Sequence, residues 1–239
     1  MSIRRGLDGL MKLFPCPAWC FQCRRFITEE LQSPCQSLCL DCVGILPGIE
    51  QTYCLACCKQ HPFEHCKTVW SDEIGHLRSL FWYQEPLNNW VTQLKYSRNF
   101  NAGRVLSELV RLWSLENESY FLKYDFLLTV PLHWRRFLKR GFNQTQYLLS
   151  AQNKLKPNTN LIQKIRHTPH QAGKSSRERE INLHQSFAVT KKFKGERILL
   201  FDDVCTTGQT LKEISRNLME AGASKIDALV LCKTRGERL

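Results

Sequence analysis

Two adjacent carboxylates, Asp202 and Asp203, close the apolar run Ile198-Leu199-Leu200-Phe201, and a polar stretch, Cys205-Thr206-Thr207-Gly208-Gln209-Thr210, lies just beyond them. Carboxylates accept hydrogen bonds from vicinal hydroxyls and hold Mg2+ through water. Hydroxyls and backbone N–H groups at a helix start are phosphate ligands. The order therefore predicts a buried parallel strand, Arg197 to Asp203, that hands a ligand loop to a helix N-terminus. Acids for a diol, followed by amides and hydroxyls for a phosphate, describe a cradle for a ribose 5-phosphate. On this reading the acids sit unpaired at the strand tip, where they cost stability unless something binds them.

The second chemistry-bearing group is made of cysteines. The chain has twelve, and ten of them lie between Cys16 and Cys66. Cys20-x2-Cys23 and Cys39-x2-Cys42, with fifteen residues between the pairs, have the spacing of a four-thiolate zinc ribbon. Two residues between thiolates let one tight turn place both sulfurs on one tetrahedral edge. A second group, Cys54, Cys57 and Cys66, has no obvious fourth ligand; His61, His65 and Cys58 are candidates. A secreted scaffold would spread its bridges along the chain, so clustering at one end points to metal. Cys16 and Cys35 receive no role. Apolar periodicity between the pairs is sparse, so metal is expected to supply the folding free energy of this head.

Positioning these groups requires a body that alternates strands and helices. His76 to Tyr83 predicts a strand, and Leu87, Trp90, Val91 and Leu94 repeat at helical spacing after Pro86. A second helix is expected over Ala102 to Leu115, with Val105, Leu106, Leu109, Val110 and Trp113 as its stripe. Its aromatics read as core. Asp125 to Pro131 reads as a buried strand. A basic turn and helix follow over Trp134 to Gln144, with Gly141 suggesting a turn where the backbone approaches something. Helix continues from Gln144 towards Gln152, and Leu161 to Arg166 is a short strand. Thr168 to Glu180 has the composition of a mobile basic loop, with Lys174, Arg177 and Arg179 placed to close over a phosphate site. Leu211, Ile214, Leu218 and Ala221 share one helix face that ends near Gly222, and Ile226 to Cys232 is a last strand. The whole is α/β with a mostly parallel sheet, residues 71–239, behind a cysteine-rich domain, residues 1–70.

The formal charge of +12 sits in one place: residues 133–197 hold fifteen Lys and Arg against three Asp and Glu, and the rest of the chain is neutral. A concentrated positive field attracts nucleic acid or a ligand bearing several phosphates. No apolar run reaches the roughly 18–20 residues that span a bilayer. The N-terminus makes a poor secretory signal, so a soluble cytoplasmic protein is expected.

Leu199 to Leu211 resembles the phosphoribosyl-pyrophosphate (PRPP) motif of type I phosphoribosyltransferases: apolar residues, two acids, a variable pair, Thr-Gly, then Thr. Together with the CxxC-rich head, Leu94-Lys95-Tyr96, the run from Val130 to Gln144 and the loop Thr168…Gln171…Arg177…Glu180…Asn182, it is similar to the ComF family over nearly the whole chain. The departure is in the second cysteine group, where the family usually has another CxxC. The resemblance implies a type I phosphoribosyltransferase-like fold with a small zinc-ribbon domain. It implies Asp202 and Asp203 on the ribose hydroxyls, and Thr206, Thr207, Gly208, Gln209 and Thr210, with Cys205, around the 5-phosphate. Arg140 and Gly141 fall in or near the pyrophosphate loop, with Mg2+ between pyrophosphate and ribose. Expected partners are PRPP, incoming single-stranded DNA in natural transformation, and a helicase or channel protein at the inner membrane, to which the chain would be peripheral. Two other readings stay open: a nucleotide-salvage phosphoribosyltransferase, and a DNA-binding protein on a non-catalytic transferase fold.

Overall fold

The computed structural model describes residues 19–49, 71–150, 157–165 and 186–235. The chain divides into two compact units, Met1–Ile45 and Leu46–Leu239.

In the first unit a short turn is closed by an antiparallel bridge between Trp19 and Phe26, whose ring centroids lie 3.7 Å apart. Arg24 adopts φ 61° inside that turn. Helix α1 (Leu40–Gly44) begins at the second cysteine pair, with Cys39 as its N-cap.

The second unit is built on a four-stranded, wholly parallel sheet of order β1-β6-β5-β2, from β1 (Leu77–Trp82), β2 (Phe126–Thr129), β5 (Arg197–Cys205) and β6 (Lys225–Lys233). Between β1 and β2 run α2 (Leu87–Ser97), α3 (Phe100–Glu116) and the short α4 (Glu118–Phe121). After β2 come α5 (Trp134–Arg140) and α6 (Gln144–Leu149). A two-stranded antiparallel pair, β3 (Ile162–Lys164) with β4 (Phe187–Val189), precedes β5, and α7 (Gln209–Glu220) joins β5 to β6.

Strand β5 is covered on both faces, which is why it reads as an unbroken apolar run. One face, with Ile198 and Leu200, shares a core with Leu211, Ile214 and Leu218 of α7 and Ala228 and Val230 of β6. Side chains alternate along a strand, so Leu199 and Phe201 point the other way; α6 contacts β5, α3 packs on α6, and α2 packs on α3. The four residues predicted to form the apolar face of α2, Leu87, Trp90, Val91 and Leu94, are its buried residues. On α3, Val105, Leu106, Leu109 and Val110 are buried as the spacing requires, while Trp113 is half-buried. Strand β4 has no counterpart in the sequence reading. Three residues are too few to show an alternating pattern, and only pairing with β3 defines it.

Near the start of β6 Asp227 ties three strands together. Its carboxylate accepts from the His76 N–H just before β1 and from the Tyr124 hydroxyl just before β2, each at 2.8 Å, and Lys225 lies 3.6 Å away. Burial, followed by the neighbouring Tyr120 and Asp227, pushes the Tyr124 phenol well above its ordinary value, so it remains a hydrogen-bond donor. Losing a buried acceptor strands its donors. Asp227→Ala is expected to lower unfolding stability by about 2–4 kcal/mol. In urea unfolding the midpoint should fall with little change in slope.

Candidate functional site

The acid pair is not at a strand tip. Strand β5 runs on to Cys205, and Asp202 and Asp203 are 9% and 4% exposed. Nor are they unpaired: Lys95 Nζ, from the last turn of α2, lies 2.6 Å from Asp203 Oδ2. The contact is an ion pair by distance and is not aligned as a hydrogen bond. Backbone amides take two further oxygens, the Asp203 N–H donating to Asp202 Oδ1 and the Val204 N–H to Asp203 Oδ1, each at 2.8 Å. Burial first, and the charge of Asp203 second, push the Asp202 carboxyl well above the usual carboxylate range, with Lys95 pulling the other way. For Lys95, burial would lower the ammonium's pKa, but the attraction of Asp203 and then Asp202 overrides it and leaves it above its ordinary value.

The turn after β5 hands the chain to a helix through a glycine. Gly208 is the N-cap of α7 at φ 76°, a left-handed conformation that favours glycine, and no side chain caps the helix. Thr206 and Thr207 are exposed and Gln209 and Thr210 half-buried, while the Cys205 side chain lies in the apolar core. Lys233 Nζ donates to the Thr206 carbonyl at 3.0 Å and fixes the turn from β6.

The basic run after β2 lies against the same strand end. Arg140 Nη1 donates to Gln144 Oε1 at 2.9 Å, its guanidinium lies 5.4 Å from the Tyr96 ring centroid, and its charge acts on Lys95. Gly141 caps α5 at φ 84° with open space where a Cβ would stand. Backbone conformation, not close approach, calls for glycine there.

Two cations escaped the sequence reading, and one was named without a role. Lys95 appeared only as part of a family run; its partner is more than a hundred residues away. Arg136 and Lys164 were not singled out. Burial and then the charge of Arg136 lower Lys164 to about 8, against the opposing pull of Asp202, which places β3 beside the acids. The charge pattern flagged the segment but not which members turn inward.

Among the described residues, Cys20, Cys23, Cys39 and Cys42 form one group whose sulfurs all lie within 4.8 Å of one another. The Cys39 N–H donates to Cys20 Sγ at 3.4 Å, and the Arg24 N–H to the Cys20 carbonyl at 3.0 Å closes the first turn. Arg25, which the sequence gave no reason to single out, donates to Cys23 Sγ at 3.5 Å and pairs with Asp41 at 2.8 Å. Hydrogen bonds from the Arg25 side chain and then its backbone lower Cys23 to about 6, favouring the thiolate that a metal requires. Cys35 is buried but stands outside the four. The second candidate set, Cys54, Cys57, Cys66, His61 and His65, and the loop cations Lys174, Arg177 and Arg179 lie outside the described residues.

Direct Mg2+ coordination by the acid pair fits poorly. Mg2+ demands open oxygen ligands in near-octahedral array, and here Asp202 Oδ1 and both Asp203 oxygens are already engaged.

A parallel sheet whose central strand carries an acid pair into a glycine-capped helix start defines a phosphoribosyltransferase-type domain, and the family model described as phosphoribosyl transferase domain matches residues 149–239. Competence protein F of Haemophilus influenzae is 33% identical over 189 residues, covering 76% of this chain and 78% of that protein. DNA utilization protein YhgH of Escherichia coli is 33% identical over 157 residues, 64% of this chain and 69% of the relative. Competence protein ComFC of Streptococcus pneumoniae is 26% identical over 201 residues, 82% and 87% of the two chains. This chain belongs to the ComF family. No helix among the described residues is long and apolar enough to cross a membrane.

Among the described residues of the first unit, the buried apolar side chains are Leu38 and the cysteines Cys20, Cys35, Cys39 and Cys42. Treating the metal-loaded chain with a strong chelator is expected to expose the segment around Cys20 to Cys42 to protease while the larger unit stays resistant. Limited proteolysis read by mass spectrometry checks this. Equal protection of that segment before and after metal removal would contradict it.

Proposed function

We propose that this chain binds PRPP at the end of β5 and acts on incoming single-stranded DNA during DNA uptake. The observation that carries the first half is the buried acid pair leading into the Gly208 turn at the uncapped start of α7. Asp202 turns its remaining oxygen to the ribose hydroxyls; Thr206, Thr207, Thr210 and the first amides of α7 take the 5-phosphate. Arg140, with Arg136 and Lys164 nearby, faces the pyrophosphate. Any Mg2+ arrives on the ligand's own oxygens, because Asp202 Oδ1 and both Asp203 oxygens are engaged. Zn2+ is the metal for the four-thiolate group, since a tetrahedral thiolate set suits it. In a turning-over enzyme a nitrogen nucleophile displaces pyrophosphate from the anomeric carbon, and the surrounding cations stabilise the charge left on the leaving group. Pyrophosphate release across a panel of bases separates such an enzyme, including a salvage transferase, from a sensor.

The DNA half is supported by the relatives' names, which speak of competence and DNA utilization. Helix α5 supports it too. Trp134, Phe137 and Leu138 are exposed on it beside Arg135 and Lys139, and none of its residues is buried. Aromatic faces with cations between them suit unpaired bases and their phosphates. A helicase or channel protein at the inner membrane is the macromolecular partner this reading expects.

Calorimetric titration with PRPP tests the site; no heat under any ionic condition would end this reading. Asp202→Ala, which leaves the Lys95–Asp203 pair in place, should weaken binding by about tenfold or more. Lys164 is lowered to about 8, so it is charged below that pH and loses its proton as pH rises through it. Affinity should therefore be greatest near pH 7 and fall as pH rises through about 8, and Lys164→Gln should flatten that fall. Trp134→Ala with Phe137→Ala should weaken single-stranded DNA binding by about tenfold. The salt slope should stay unchanged, because no phosphate contact is removed.

A further inference from the structure

Lys95 on α2 pairs with Asp203 on β5 at 2.6 Å, next to Asp202, and the charges of Arg136 and Arg140 on α5 and of Lys164 on β3 are linked electrostatically to that pair. Two carboxylates against four cations leave a net positive cluster before any metal is counted. Adjacent buried carboxylates repel each other, and many anion-binding sites relieve that repulsion with a divalent ion. Here an ammonium already sits on the acids. Its placement is built into the fold: Leu87, Trp90, Val91 and Leu94 anchor α2, and Lys95 follows directly in its last turn. That end of a helix carries the negative pole of its dipole and favours a cation. The Lys95 side chain is 18% exposed and that of Asp203 6%, so the pair is shielded from competing salt.

We propose that Lys95 is the resident counter-cation of the acid pair: it occupies the place a divalent ion would take, keeps such ions off the carboxylates, and lets the site bind PRPP without any divalent ion. The ligand half rests on the PRPP reading above; the ion-exclusion half stands without it. The chemistry is one of charge alone. Lys95 supplies one positive charge to Asp203, leaving Asp202 to accept from the ribose hydroxyls. Arg136, Arg140 and Lys164 supply the charge that Mg2+ would otherwise bring to the pyrophosphate. Unlike a metal ion, the ammonium cannot leave with the product, so the site keeps its electrostatic balance when empty.

The test has two arms on the zinc-loaded full chain. In the first, Mn2+ is titrated up to about 1 mM and free Mn2+ is read by electron paramagnetic resonance. The unsubstituted chain and Asp203→Asn should take up the same amount. Lys95→Gln should gain one further Mn2+ per chain, and adding Asp203→Asn to it should abolish that gain. In the second arm, PRPP affinity of the unsubstituted chain should agree within about threefold between Mg2+ and a buffer freed of divalent ions by chelating resin before the zinc-loaded chain is added. For Lys95→Gln it should be weak without divalent ion and recover by about tenfold or more with Mg2+. Mn2+ uptake by the unsubstituted chain that Asp203→Asn removes would overturn the proposal, as would a PRPP affinity that collapses without divalent ion. If PRPP fails to bind in either condition, the PRPP reading falls while the Mn2+ arm still decides the role of Lys95. If circular dichroism shows Lys95→Gln unfolded, the comparison of the unsubstituted chain with Asp203→Asn decides it.

Discussion

Burying two neighbouring carboxylates in the central strand of a sheet is the constraint to which the rest of the larger unit answers. Each acid buried alone would cost several kcal/mol and would avoid it only by taking up a proton. The fold meets that cost with backbone amides from the strand itself and with an ammonium brought in from α2. Helix α2 must therefore dock in one register, and its four apolar residues provide the docking surface. The charges of Arg140 on α5 and Lys164 on β3 act on the same group.

Function and stability divide the molecule along the strands. Apolar burial fills the faces of β5 and β6, where alternate side chains meet α7 on one side and the α6 layer on the other. Polar groups collect beyond the core at the strand ends. Near the start of β6, Asp227 is saturated by His76, Tyr124 and Lys225 and reads as a structural tie. At the far end of β5, Asp202 and Asp203 are held by backbone amides and by Lys95.

The four-thiolate group follows a separate logic. Its sulfurs converge through tight turns closed by local hydrogen bonds, with Arg25 favouring the thiolate at Cys23. Local spacing is enough to specify such a group, because every ligand is delivered by a turn of a few residues. That is why the four cysteines could be named from the chain alone while Arg25 could not. An arginine two residues after a cysteine carries no distinctive pattern until the turn folds it back.

Local signals in the chain carry whatever depends on neighbours along it. The apolar run of β5, the stripes of α2 and α7 and the thiolate spacing are all local, and each appears where periodicity and spacing placed it, while Trp113 of the α3 stripe is half-buried and the acids lie within β5 rather than at its tip. Tertiary structure alone decided how the acids are held. The extension of β5 to Cys205 comes from pairing with β6, which carries the strand past the acids and buries them. The partnership of Lys95 with Asp203 joins residues more than a hundred positions apart, and the inward turn of Arg136 and Lys164 from a uniformly basic segment depends on how α5 and β3 pack. Sequence periodicity reports which face of an element is apolar. It is silent on which charge from a distant element will reach a buried acid, because that choice is made by packing.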